Sequence, residues 1–125
     1  MSPGIPSIDP RGAATATDPT GAIDDAARPL IVDVREGDEF ARERIAGVVL
    51  VPLSQFRDRH AELPKNRPLL MICQAGSRSS SATMFLLQNG WTDVRNVTGG
   101  MDGWAAAGLP VRTGPPDPGE GELPA

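Results

Sequence analysis

From residue 30 onward, short apolar runs alternate with stretches of mixed polarity. Residues 30–34 (LIVDV), 48–51 (VVLV) and 69–73 (LLMIC) are nearly continuous apolar runs of four or five residues. Such runs, bounded by Pro and polar residues, predict strands buried on both faces. Residues 94–97 (VRNV) predict a fourth strand. Residues 38–44 have local helical character. A helix is expected from a cap at Ser54 to about Leu63, before Pro64. Another is expected over 79–89, with Met84, Phe85 and Leu87 as its apolar positions and Gly90 as its stop. Gly99-Gly100 leads into a short helix through Trp104 to Ala107, ended by Gly108 and Pro110. Near the start, Ser7-Ile8 reads as a short strand. Asp9-Pro10 reads as a cap with Pro at the first helical position, although Pro19, Gly21 and the threonines limit how far that helix runs.

Strands alternating with helices predict an α/β fold: a small, open, mainly parallel sheet with helices on both faces. In such sheets sites form at the carboxyl ends of the strands, and Cys73 lies at one. The ends of the chain read differently. Residues 1–4 are expected to be flexible, and 114–125 (GPPDPGEGELPA) to be a disordered Pro/Gly/Glu-rich tail. One domain over residues 5–113 remains, in keeping with a chain of 125 residues.

Composition narrows the partners. The net charge of −4 argues against nucleic acid, which requires a basic face. The single cysteine rules out an internal disulfide and a zinc site built on Cys pairs. A lone thiol suits a reducing compartment, and Met1 to Thr20 shows no signal-peptide pattern, so a cytoplasmic location is expected. No apolar run is long enough to span a membrane.

Chemistry concentrates in Cys73-Gln74-Ala75-Gly76-Ser77-Arg78-Ser79. This segment joins a buried strand to a helix N-terminus, where unpaired N–H groups carry a partial positive charge. Gly76, between the small residues Ala75 and Ser77, lets the backbone curl so that several N–H groups converge. Arg78 adds a permanent charge. Each feature favours a thiolate, a persulfide or an oxyanion. Ser77 and Ser79 are candidate donors to the sulfur, with Ser79 equally a candidate helix cap. A cysteine after an apolar strand is often only a small buried hydrophobe. Its convergence with Gly76, Arg78 and a helix start favours a nucleophile.

The segments Leu30-Ile31-Val32-Asp33-Val34-Arg35-Glu36, Asp38-Glu39-Phe40, Ile45-Ala46-Gly47, Val51-Pro52-Leu53, the Cys73 loop and Gly99-Gly100-Met101-Asp102-Gly103-Trp104 stand in an order and spacing that resembles the rhodanese-homology family. The resemblance implies a sulfurtransferase. Cys73 would take sulfane sulfur from thiosulfate or a persulfide, hold it as a persulfide, and pass it to cyanide or a thiol, with no metal or organic cofactor. The four residues between Cys73 and Arg78 make a loop one shorter than that of the related cell-cycle phosphatases, which disfavours phosphatase or arsenate reductase activity.

Two departures from the family stand out. Arg44 occupies a position where many relatives have His. Gln74 is neutral where many thiosulfate-using members carry a basic residue, so a larger or protein-bound persulfide is a candidate donor. The alternative to an enzyme is a sulfur-carrier or partner-binding module with little turnover on small donors. A redox sensor is less favoured, because no second Cys is present to resolve a sulfenate. Asp33 and Arg35 have two readings: a structural ion pair and turn, or, by the resemblance, support for the active-site loop. His60 and the Arg57-Asp58-Arg59 cluster read as solvated helix surface, and Trp104 as core or pocket wall.

Overall fold

The structure is a computed structural model that describes residues 4–21 and 24–123. Of the segment 1–4, only Gly4 lies within the described residues.

In chain order the elements are β1 (Ser7–Ile8), α1 (Pro10–Ala16), β2 (Leu30–Asp33), α2 (Gly37–Arg42), β3 (Glu43–Arg44), β4 (Val49–Leu50), α3 (Leu53–Arg59), a 3-10 turn (His60–Glu62), β5 (Leu69–Ile72), α4 (Ser77–Gln88), β6 (Val94–Val97), α5 (Gly100–Ala106) and β7 (Arg112–Thr113). Five strands form one sheet in the order β1-β6-β5-β2-β4, every pair parallel. β2 and β5 are the centre, with Leu30 opposite Leu69 and Asp33 opposite Ile72.

The continuous apolar runs resolve into two alternating faces, since successive side chains of a strand point to opposite sides. Leu30, Val32 and Val34 join Leu69, Met71 and Cys73 beneath Phe56, Ala82 and Leu86 of α3 and α4. Ile31, Leu70 and Ile72 join Val97 beneath Phe40, Met101 and Trp104 of α2 and α5. Both faces are covered, which is why these strands show no polar alternation.

Local capping agrees with the sequence at α1, where the Asp9 carboxylate accepts from Gly12 N–H at 2.9 Å and Pro10 stands at the first helical position. Three expectations are corrected. The helical stretch predicted over 38–44 ends at Arg42. Glu43 and Arg44 instead pair antiparallel with Thr113 and Arg112, a partner 70 residues away that no local pattern reveals. Ser54 does not cap α3. It lies one residue inside the helix, and its hydroxyl donates to Glu36 Oε1 at 2.7 Å. In α4 Phe85 and Leu87 pack against the core as expected, but the fully buried anchors are Leu86 and Ala82, and Met84 is 38% exposed.

Residues of the 114–123 segment make contacts with the domain. Leu50 N–H donates to Gly121 O at 2.7 Å, Leu123 packs on the α3/α4 core, and Glu120 ion-pairs with Arg44. Arg44 is 1% exposed and also donates to Gly114 O at 2.6 Å. A buried guanidinium needs a carboxylate and acceptors, and the segment poor in apolar residues supplies them. Pro124 and Ala125 lie outside the described residues. His60 is corrected too: its ring is half-buried and packs edge-on to Phe85, at 4.7 Å between centroids, and against Phe56 and Trp91.

Candidate active site

β5 carries Cys73 to the carboxyl edge of the sheet. There Val34 N–H donates to Ile72 O at 2.9 Å and holds the ends of β2 and β5 level. The cysteine is 1% exposed, on the α3/α4 face. The chain then turns through Gly76, whose φ of +110° is left-handed, into α4. A side chain there would be strained whatever the space. This turn aims Gly76 N–H at Cys73 Sγ at 3.1 Å and Ser79 N–H at 3.3 Å. Ser79 Oγ lies 3.2 Å from the same sulfur. Ser79 is fully buried, and its one proton has competing acceptors: Asn96 Oδ1 at 2.6 Å, Gly76 O at 3.2 Å and the sulfur. Asn96, on β6, also donates to Ser80 Oγ at 2.9 Å.

The start of α5 holds the outer side of the loop. Met101 N–H donates to Cys73 O at 2.8 Å and Asp102 N–H to Gln74 O at 3.0 Å. This approach requires Gly100, at φ +57°, because a Cβ there would stand 2.3 Å from Cys73 O.

Charge is arranged in matched pairs. Arg35, 2% exposed, is ion-paired with Asp33, 1% exposed, at 2.9 Å. Arg35 also donates to Glu43 O at 2.7 Å and to Gln74 Oε1 at 3.2 Å. The other end of the Gln74 amide donates to Asp102 Oδ1 at 2.7 Å. Arg78 gives both terminal nitrogens to Glu39, at 2.8 and 2.9 Å. The Arg78 hydrogen bonds hold the Glu39 carboxyl at about 2, well below its ordinary 4.5, and the same pairing raises Arg78. Beside the loop, Arg35, Glu39, Arg42, Glu43 and Gln74 line an open cleft of about 330 Å³.

The family model of the rhodanese-like domain matches residues 18–107, most of the chain. The chain belongs to the rhodanese family. It is 37% identical over 82 residues to a sulfurtransferase of Allochromatium vinosum, covering 66% of this chain and 77% of that one. It is 30% identical over 84 residues to a thiosulfate sulfurtransferase of Actinobacillus succinogenes, covering 67% and 76%. Among solved structures, a rhodanese-related protein of Thermoplasma volcanium superposes with a TM-score of 0.74 at 29% identity, covering 86% of this chain and 97% of that one. These relatives support sulfur transfer as the class of activity.

In this rhodanese domain the site residues proposed from sequence separate into groups. Cys73, Gly76 and Ser79 converge on the sulfur. Ser79 is not the cap of α4; that position is Gly76. Ser77 and Ala75 are exposed on the loop, and the donors around Sγ come from Gly76 and Ser79 rather than Ser77. Arg78 is committed to Glu39 instead of offering its fork to the sulfur. Gln74 links Arg35 to Asp102, so Asp33 and Arg35 form a buried pair that also reaches the loop.

Glu39, Asn96 and Asp102 were not singled out as site residues from sequence. Glu39 and Asp102 lie inside motifs that carry the family resemblance, which was the available signal. Asn96, a polar residue in a predicted buried strand, offered another, since buried polar groups require partners. Among the described residues, no helix is long and apolar enough to cross a membrane.

Proposed function

We propose that this domain moves sulfane sulfur from a donor, thiosulfate or a persulfide, to a thiophilic acceptor through a persulfide on Cys73. The carrying observation is the convergence of Gly76 N–H, Ser79 N–H and the Ser79 hydroxyl on Sγ at 3.1 to 3.3 Å. Fixed donors aimed at a sulfur stabilise negative charge there without reorganising. The Cys73 thiolate attacks the outer sulfur of the donor. A new S–S bond forms, the donor's sulfur–sulfur bond breaks, and sulfite or a thiolate leaves with the electron pair. A thiol or cyanide then attacks the outer persulfide sulfur and regenerates the Cys73 thiolate. Each step is a displacement at sulfur, with no net oxidant.

A second reading, a carrier loaded by a partner protein with little turnover on small donors, draws support from the 1% exposure of Cys73 and the neutral Gln74. Intact-mass spectrometry before and after donor, with Cys73→Ser as control, tests both. A gain of one sulfur, absent in the variant and reversed by cyanide, supports transfer through Cys73. Loading without multiple turnover on small donors favours the carrier. No gain from any sulfane donor removes both.

A further inference from the structure

The charges around Cys73 do not suit a small dianion. Two guanidiniums stand beside the loop, and each is matched inside the protein: Arg35 by Asp33 and Arg78 by Glu39. The exposed carboxylate of Asp102 adds a negative charge where Gln74 adds none. In the adjoining cleft, the other two charged side chains, Arg42 and Glu43, are opposite in sign. The Cys73 loop therefore presents internal ion pairs and one extra carboxylate.

Thiosulfate brings two negative charges, and its transfer returns both as sulfite. To reach a sulfur that is 1% exposed it must shed water. Desolvating a charge is costly unless an unmatched opposite charge meets it. A persulfide, R–S–SH, delivers its outer sulfur with at most one charge at the reacting end. The Cys73 thiolate takes that sulfur, and RS⁻ leaves with the electron pair.

Resting on the sulfurtransferase reading above, we infer that Glu39 is a specificity-determining residue: by occupying Arg78 it sets the site for organic persulfides and against thiosulfate. Glu39 makes this choice from α2, without touching Sγ. Gln at position 39 keeps the shape and can still close the capping box with Glu36 at the start of α2. It removes one negative charge and leaves Arg78 with a charge to offer.

The test is single-turnover loading of Cys73, followed by intact mass, with thiosulfate and with hydroxyethyl persulfide generated in situ. The wild-type protein is expected to load faster from the persulfide. Glu39→Gln is expected to raise the thiosulfate rate constant about tenfold, the order given by uncovering one charge in a partly hydrated site. The gain should shrink with added salt, and the persulfide rate should change little. Equal wild-type loading by the two donors overturns the inference without any variant. So does an unchanged donor ratio in a folded Glu39→Gln protein. Loading by neither donor overturns the sulfurtransferase reading itself, and the donor inference with it.

Discussion

Ser79 Oγ lies 2.6 Å from Asn96 Oδ1, so a side chain on β6 competes with Cys73 for the one hydroxyl proton beside the sulfur. In the resting site the short contact favours Asn96. When negative charge builds on the sulfur, the proton has an alternative acceptor 3.2 Å away. The two backbone N–H groups cannot turn in this way.

Ser79→Ala should therefore slow Cys73 loading by roughly tenfold to a hundredfold, the worth of one hydrogen bond to a charged group. The two N–H donors remain, so activity should persist. Stopped-flow loading with either donor checks this. A rate equal to wild type would assign the charge stabilisation to the backbone alone.

Gly100→Ala should cost on the order of 3 kcal/mol from left-handed strain and overpacking. Its Cβ would collide with Cys73 O and Gln74 O. The collision falls on the loop, so loading should drop as well as denaturant stability. Urea unfolding and the loading assay, run on the same preparation, separate the two effects.

Leu86→Ala should cost about 2–5 kcal/mol, because it empties a fully buried position. Met84→Ala should stay within about 0.5 kcal/mol, since Met84 is on the open side of α4. Paired denaturant titrations decide the point, and similar losses would contradict the orientation of the helix.

Glu120 is held at about 2, below its ordinary 4.5, first by hydrogen bonding to Arg44. A carboxylate depressed in the folded state contributes stability that is fully present above about 4.5 and fades as pH falls towards 2. Glu39 acts with the same sign. Glu120→Gln should lower the melting temperature at pH 7, while the deficit narrows at pH 3. Truncation after Thr113 should lower it further, since Arg44 then loses both Glu120 and Gly114 O. Thermal scans at the two pH values test the sign. A truncated protein that melts with wild type would mean that the segment 114–123 is dispensable.

Much of the fold was legible because it is encoded locally. The runs 30–34 and 69–73 are apolar at every position but Asp33, and their shortness and flanking Pro and polar residues mark them as strands covered on both faces. Asp9-Pro10 and Gly76 act within one turn of chain. The Cys73 loop was readable for the same reason: its curl and its helix start are properties of a few consecutive residues. What escaped depends on distant partners. Arg44 reads only as a departure at a position where many relatives have His until Glu120, 76 residues later, meets it. The 114–123 segment reads as a tail because its contacts come mainly from one carboxylate and two carbonyls, with Leu123 adding a single apolar contact.

The same division runs through the site. By itself, the sequence determined that a lone cysteine stands at a strand end before a glycine turn and a helix, since strand, turn and cap are short-range preferences of the backbone. Only the tertiary structure decided where the charges go. The sequence places the Arg78 charge beside the sulfur, and the structure shows that its hydrogen bonds go to Glu39. Gln74 joins Arg35 to Asp102, and Asn96 competes for the Ser79 proton. Hydrogen bonds and ion pairs act over about 3 Å whatever the separation along the chain, and which groups come that close is fixed by the packing of α2, α4 and α5 around the sheet edge.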